Sequence, residues 1–217
     1  MEVLLSSAYL PPVEWFTKLT MGQQVWVEQW DHYVKQTYRN RCIIDSPNGP
    51  LALTVPVEKP AEGMKCLMKD IRISHHGKWK HQHWQALEAS YFNSPFFEYY
   101  ADDFRKVYER EWMFMMDMNE ALVHLCCQLA EVDVNLCRTM SYETHPRLTD
   151  CRDSIHPKRP WTDDPLFRPA PYYQVFSHKH GFLPNLSFVD LLFNMGPEAL
   201  LVLHQSVRTE RKTTKNN

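Results

Sequence analysis

The chain has 217 residues, with 24 Lys and Arg against 26 Asp and Glu, so its formal net charge is -2 at pH 7. This balance excludes the strong positive field with which proteins attract nucleic acid or anionic lipid, and any basic site must be local. No apolar run approaches the roughly 20 residues of a membrane-spanning helix, and the first residues lack the basic and apolar regions of a signal peptide. We therefore expect a cytosolic protein that neither binds nucleic acid nor inserts into a membrane.

The first 28 residues predict a β-α-β unit. A short apolar strand at 3–5 precedes a helix between Pro12 and Gly22, and a second strand follows at 25–27. The helix between them predicts that the two strands lie parallel in one sheet. Ligands of open α/β sheets bind at the carboxyl ends of the strands, so the loops that follow both strands are candidate binding segments.

The middle of the chain predicts a hairpin and then an aromatic-rich helical segment. Strands at 42–44 and 51–57 flank a turn with Asn-Gly and proline signals, and a further short strand is predicted at 71–73. Three helices with aromatic or apolar faces follow. They are predicted at 79–91, after a Ser94 cap and after a capping box at 117–120. The chain is then expected to return to the sheet at 132–136.

The last third predicts a long connection and a helical pair. Residues 139–171 contain six prolines without a sustained period, which is typical of a long ordered loop or a lid. A strand is predicted at 172–176. A capping box at Ser187 is expected to begin one helix, which ends at Gly196, and another begins at Pro197. We predict one α/β domain over 1–206, with a mixed sheet that starts with the β-α-β unit, and a polar tail at 207–217.

Residues 33–41 concentrate cations, amides and phenols where the fold requires only a connection. Charge-assisted hydrogen bonds from its cations suit a phosphate or carboxylate, while its amides orient the ligand and a phenol stacks on a flat group. The candidate residues are Tyr33, Lys35, Gln36, Arg39, Asn40 and Arg41. The alternative is a solvated strand edge whose charges prevent aggregation. Asn40, placed between two arginines, favours the site, because a solvated edge has little use for an amide there.

Several segments, in this order, resemble the WbqC-like protein family. They are residues 9–12, 33–41, 53–57, His83-Trp84, 94–97 and 186–197. Lys35, Arg39, Asn40 and Arg41 match the family's basic Asn-Arg stretch, and Asp190 and Asn194 match its terminal Asp-Leu-Leu-Phe-Asn motif. The family is named for a gene in an O-antigen cluster. The resemblance therefore implies a cytosolic role in making or decorating surface polysaccharide.

These observations lead to one enzymatic hypothesis and one alternative. The enzyme would transfer a small acyl or aminoacyl group to an amino sugar carried on a nucleotide. Asp190 and Lys35 are the catalytic candidates, and Tyr9 joins the residues of 33–41 and Asn194 around the ligand. Asp190 also has a second interpretation, as an acid that satisfies the N-terminus of its own helix. The alternative function is a non-catalytic scaffold that holds a partner enzyme with the aromatic helices and the 139–171 loop.

The sequence offers no recognisable metal or cofactor motif. Histidines recur at 75–83 and at 178–180, but none has the spacing of a zinc-binding helix or knuckle, so no metal site is predicted. Walker, dinucleotide-binding and nucleophile-elbow motifs are also missing from the sequence. The cofactor stays unknown, and the expected ligand is a small anion, either a nucleotide or a nucleotide sugar.

Overall fold

A computed structural model describes residues 2–22, 24–58 and 65–208. Its strands are β1 (Glu2–Ser6), β2 (Gln24–Glu28), β3 (Arg41–Ile44), β4 (Leu51–Thr54), β5 (Asn135–Arg138) and β6 (Thr149–Asp150). Its α-helices are α1 (Val13–Met21), α2 (Trp79–Tyr91), α3 (Phe97–Glu109), α4 (Met115–Leu129), α5 (Ser177–His180), α6 (Phe188–Met195) and α7 (Ala199–Ser206). The predicted tail at 207–217 lies, from residue 209 onward, outside the described residues.

Four strands form a parallel sheet in the order β5-β2-β1-β6. Val3 lies opposite Val25, and α1 forms the crossover between these two parallel strands, as predicted. β3 and β4 form a separate antiparallel hairpin. The α/β prediction, including the β-α-β start and the return to the sheet through β5, is therefore confirmed, with the parallel and antiparallel strands in two different sheets.

The two faces of the parallel sheet have different covers. Val3, Leu5 and Val25 are fully buried on one face, where Trp15 of α1 and Met116 of α4 lie close to β2 and β5. On the opposite face, the loop at 139–148 lies over the strands. Side chains alternate between faces along a strand, so the apolar run of β1 has one side in the core and one under this loop.

The aromatic helices and the C-terminal pair share one core, as the sequence predicted for a single domain. The Phe193 ring of α6 packs against the rings of Tyr91, Phe97 and Phe104, with centroid distances of 5.2, 5.1 and 5.1 Å. Phe188 stacks on Phe16 of α1 at 3.9 Å. Helix α6 thereby connects the sheet layer with the aromatic segment.

Two predicted strands are wrong. Residues 172–176 are irregular and lead into α5. Tyr172 and Gln174 in this segment both bind a buried carboxylate on α6. Residues 71–73 make only isolated bridges, with Ile73 opposite Val57 and Arg72 opposite Phe114.

Three predicted side-chain caps are not formed, although Ser187 does occupy the N-cap position of α6. Helix α4 begins at Met115, and Asp117 in its first turn binds Arg138 instead of capping the helix. The Ser187 hydroxyl donates to the Leu10 carbonyl at 2.8 Å, and the Ser94 hydroxyl donates to the preceding helix. Long-range hydrogen bonds thus replace the predicted caps at Asp117 and Ser187, and a local bond to the Tyr91 carbonyl replaces the one at Ser94. The long 139–171 connection also holds more structure than expected, since it contributes β6 to the sheet.

Candidate functional site

The 33–41 cluster divides into an outward and an inward part. Lys35 and Gln36 are exposed on a turn, and Gln36 has a left-handed backbone with φ of 60°. Arg39 and Asn40 are buried, at 6% and 5% exposure. Because the two parts face different surroundings, the structure does not bring their side chains together as one open site.

Arg39 is committed to a buried ion pair. Its guanidinium donates twice to Oδ2 of Asp31 and, at 2.9 Å, to the hydroxyl of Ser6 at the end of β1. Burial raises the pKa of the Asp31 carboxyl, and the charge of Arg39 opposes that rise. A guanidinium with this acid as its neighbour is not available as a phosphate clamp unless the pair opens. The direct ligand-binding role predicted for Arg39 is thus replaced by a structural one at the sheet edge.

The other residues predicted around the ligand are mostly enclosed. Asn40 donates to the Val55 carbonyl at 2.7 Å and so connects the residue before β3 with the residue after β4. Arg41 is half-buried in β3, and Tyr33 is half-buried beside the turn. These contacts explain the amide between two arginines without a ligand.

Tyr9 belongs to a buried hydrogen-bonded chain. Its hydroxyl contacts Nδ1 of His83 at 2.9 Å and the hydroxyl of Tyr108. Burial raises the pKa of Tyr9 well above its ordinary value and lowers the pKa of His83 to about 4. Both groups are therefore neutral near pH 7, and Tyr9 lies inside the core instead of lining an open pocket.

A polar network occupies the carboxyl edge of the parallel sheet. Glu28, the last residue of β2, is fully buried. Its Oε2 accepts from Arg152 at 3.0 Å, and its Oε1 accepts from the Thr139 hydroxyl and the Trp30 N–H, both at 2.8 Å. Parallel strands end at this edge, which is where open α/β sheets bind ligands.

Arg152 joins three parts of this edge. Besides Glu28, its guanidinium binds both carboxylate oxygens of Asp150, at 3.0 and 2.7 Å, and the Glu143 carbonyl at 2.9 Å. Its own carbonyl accepts from Ser6 at 2.9 Å. The hydrogen bonds that Arg152 donates to Asp150 raise the pKa of Arg152. The pKa of Asp150 is itself lowered, because the contacts with Arg152 outweigh burial. A bidentate pair of this kind fixes the geometry of the loop.

A cavity of about 640 Å³ lies between the 139–148 loop and one face of the parallel sheet, and it reaches the carboxyl edge at Glu28. We call it the edge cavity. Glu2, Leu4, Trp26 and Glu28 line it from the sheet, with Trp26 half-buried. His145 and Arg147 line it from the loop and are exposed. The cavity thus combines an aromatic face, the carboxylates of Glu2, Glu28 and Glu143, and the basic side chain of Arg147.

Asp190 lies in a second buried network. Its Oδ1 accepts from Tyr91 at 2.9 Å, and its Oδ2 accepts from Tyr172 at 2.8 Å and Gln174 at 3.0 Å. Burial raises the pKa of Asp190 to about 6, although the three donors oppose the shift. Its carboxylate does not cap α6, so the helix-terminus interpretation is wrong. Asn194, four residues on, donates to the Asp190 carbonyl at 2.7 Å.

Sequence reasoning missed Glu28, Arg152 and the edge cavity. The position of Glu28 directly after the strand predicted at 25–27 was a usable signal, because ligand sites collect at such positions. No sequence signal identified Arg152, because it lies in a segment without a periodic pattern. Within the described ranges, no three His, Cys, Asp or Glu side chains group closely enough to hold a metal ion. No helix in that part of the chain is both long and apolar enough to cross a membrane.

The fold and the edge cavity define an α/β protein with a ligand-sized cavity on one face of a parallel sheet. The chain belongs to the WbqC-like protein family, whose model matches residues 6–155. It is also 24% identical over 224 residues to "Uncharacterized protein Rv1507c" of Mycobacterium tuberculosis, covering 90% of this chain and 94% of that protein. No solved structure matches it. The 186–197 segment lies outside the match to the family model.

Proposed function

We propose that the protein is a cytosolic group-transfer enzyme of surface-polysaccharide biosynthesis. It transfers a small acyl or aminoacyl group to an amino sugar carried on a nucleotide. The edge cavity is the observation that carries the proposal, because its volume of about 640 Å³ falls in the range of small-molecule sites. The family's naming after a gene in an O-antigen cluster supports the pathway.

In this proposal the nucleotide lies in the edge cavity. Its base stacks on the indole of Trp26, and its phosphates face Arg147, which lines the cavity from the loop. The hydroxyls of Thr139 and Ser141 lie along the same wall and bind the sugar. Lys35 and Arg39 do not line this cavity, so in this proposal a residue of the 139–148 loop binds the anion and residues 33–41 do not.

The chemistry requires one proton acceptor. The sugar amine attacks the acyl carbon, the new C–N bond forms, the bond from the acyl group to its carrier breaks, and the amine proton goes to a base. Glu28 already accepts from Arg152, Thr139 and Trp30. His145 is exposed in the cavity, and histidine is the commonest general base, so it takes this role. Asp190 does not line the cavity, so its role in this proposal is structural.

Thermal unfolding with a panel of nucleotides, nucleotide sugars and acyl-CoA tests the proposal. A ligand that binds only the native state adds about 2.7 kcal/mol at a hundred times its Kd. We expect a nucleotide sugar to raise the Tm of the wild type, and Arg147→Ala to lose most of that rise. Arg159→Ala is the matched control, since Arg159 is exposed but does not line the cavity.

Two results would contradict the proposal. One is a panel that stabilises neither protein although both are folded by circular dichroism. The other is a nucleotide-sugar shift of equal size in the wild type and in Arg147→Ala. A shift that persists in Arg147→Ala but disappears in Lys35→Ala would return the site to 33–41.

A further inference from the structure

A third buried polar cluster joins α1 to the long connection after β6, and it contains two carboxyl groups but one cation. Glu14 and Lys18, one turn apart on α1, are 4% and 1% exposed. The Lys18 ammonium pairs with the carboxyl group of Asp164, whose side chain is 10% exposed. Two ionised acids beside a single ammonium would leave an unbalanced charge where little water reaches it. Electrostatics therefore favours one bound proton on this pair of acids.

The contacts of Glu14 place that proton between the two acids. Burial raises the pKa of Glu14 to about 7 against the hydrogen bond from Asn185; the charge of Asp164 and a side-chain hydrogen bond with it add to the rise, and the charge of Lys18 opposes it. Asn185 donates to Oε2 of Glu14 at 2.9 Å. A carboxyl group hydrogen-bonds a carboxylate only when one of the two carries a proton. Glu14 and Asp164 thus share a proton in acid and lose it near neutral pH.

Lys18 is the one cation that forms an ion pair with either acid in the part of the chain that the structure describes. Burial raises the pKa of Tyr38 to about 12, with the charge of Glu14 adding to the rise, and burial raises the pKa of the Cys151 thiol, so both groups are neutral. The other titratable or charged groups on the surrounding elements are Asp163 and Arg168 on the same connection, Arg41 near Tyr38, Asp190 of α6 and His204 of α7. Loss of the shared proton therefore leaves two like charges facing each other.

The cluster fastens a segment that also contacts the end of α7. We call residues 161–170 the strap. The Arg168 N–H donates to the Ser206 carbonyl at 2.9 Å, and the Ala170 N–H donates to the Ser206 hydroxyl at 3.0 Å. The Phe167 side chain between them and the cluster is buried. Amide hydrogens held in this way exchange with solvent when the segment opens, so those of the strap report whether it is closed.

We propose that Glu14, Asp164 and Lys18 form a pH-sensitive clasp, which holds the strap on α1 most tightly in acid and loosens it as the pH approaches neutrality. In the closed clasp one acid donates its proton to the other, and Lys18 balances the single charge that remains. When the proton leaves, the two carboxylates repel each other, and opening of the strap lets water solvate them.

The direction of the effect follows from the two protonation equilibria. In the open strap Glu14 has the ordinary carboxyl pKa of about 4.3, whereas its pKa in the closed strap is about 7. Between these values the closed strap binds more protons than the open one. The opening constant should therefore rise about tenfold per pH unit in this interval and level off above it.

Hydrogen–deuterium exchange of the full chain, read by mass spectrometry from pH 5 to pH 8, tests the clasp. Dividing the intrinsic exchange rate at each pH by the observed rate gives a protection factor for each peptide. For peptides within the strap we expect protection in the wild type to fall about tenfold per pH unit between pH 5 and pH 7. Glu14→Gln should keep its protection nearly constant over this interval, because its amide donates to Asp164 at every pH.

Matched variants separate the clasp from general effects of pH. Asp163→Asn removes an exposed acid next to Asp164 and should keep the pH dependence of the wild type. Asp164→Asn leaves one acid beside Lys18 and should flatten the pH dependence as Glu14→Gln does, so it replaces that variant if Glu14→Gln does not fold. Peptides of α2 report opening of the whole domain and should respond to pH equally in the wild type and Glu14→Gln.

Three results would overturn the proposal. Protection of the strap in the wild type is then independent of pH, or it falls equally in Glu14→Gln, or it falls in parallel with the protection of α2. The wild-type profile decides the first and the third without any variant. None of these results requires a nucleotide ligand, so they stand apart from the test of the edge cavity.

Discussion

Glu28 and Asp190 are both completely buried carboxylates, yet they have different kinds of partner. Glu28 lies at the sheet edge against the guanidinium of Arg152. Asp190 lies on α6 among two phenols and an amide, which are neutral. An ionic partner stabilises the charged form of an acid, whereas neutral donors compensate burial only in part.

The pKa values of Asp150, which shares Arg152 with Glu28, and of Asp190 show this difference. The pKa of Asp150 is lowered, since its contacts with Arg152 exceed the effect of burial, while burial raises the pKa of Asp190 to about 6. The sheet edge thus carries fixed charges suited to holding a loop in one geometry. The Asp190 network instead changes its protonation close to neutral pH.

The largest expected effect is on stability, from removal of Arg152. Arg152→Met leaves Glu28 buried and without its cation, and breaking a buried pair costs about 3 kcal/mol or more. Urea unfolding at neutral pH measures this loss. The double variant Glu28→Gln, Arg152→Met should recover part of it, because no charge is then buried alone. A single variant as stable as the wild type would show that the pair does not hold the edge.

The next effect separates Asp190 from the sheet edge by pH. The ordinary pKa of aspartate is about 3.9 in an unfolded chain, and that of folded Asp190 is about 6. Between these values the folded state binds more protons, so this group lowers the free energy of unfolding as pH rises, by about 1.4 kcal/mol per pH unit.

Asp190→Asn removes this contribution. Relative to the wild type, the variant should gain stability from pH 4 to pH 6, by about 2 to 3 kcal/mol in total. Urea unfolding of both proteins across this interval gives the difference directly. Parallel stability curves would mean that Asp190 titrates no differently in the folded and the unfolded chain.

A smaller effect concerns a single donor of the Asp190 network. Tyr91→Phe removes the hydrogen bond to Asp190 and the acceptor of the Asp45 N–H. Hydrogen bonds to charged groups contribute about 1.5 to 3 kcal/mol, so the variant should be destabilised by that order above pH 6 and by less when Asp190 is protonated. Tyr99→Phe, at an exposed position, is the control. Equal losses at both pH values would contradict the assigned role of the Asp190 charge.

The parts of the fold that local pattern determines were predictable. The β-α-β unit, the hairpin and the aromatic helices follow from periodicity, turn residues and proline positions. The caps at Ser94, Asp117 and Ser187 were not, because each side chain binds a different partner from the one its pattern suggested. Tertiary contacts decide such competition, and a single sequence does not contain them.

The cavity lies only partly where the topology predicts a site. Glu28, at the carboxyl end of β2, lines it, but Glu2 and Leu4 in the first half of β1 place most of it over one face of the sheet. Composition could not show that the guanidinium of Arg39 pairs with Asp31, eight positions earlier, and is therefore not available to a ligand beside 33–41. Nor could it show that Arg152, from an aperiodic segment, pairs with the last residue of β2. Ion-pair choice is a property of the folded chain.

The smallest expected effect decides between the two candidate anion sites. Lys35 is exposed on its turn, and exposed substitutions away from caps and strained positions change stability little, so Lys35→Ala should leave the Tm unchanged. Isothermal titration with the nucleotide sugar that stabilises the wild type should give the same affinity for this variant, while Arg147→Ala binds more weakly. A reversed order of the two affinities would place the ligand beside 33–41, where the sequence first suggested it. Because neither side chain belongs to the buried ion pairs, such a change in affinity would report the contact with the ligand and not a loss of folding.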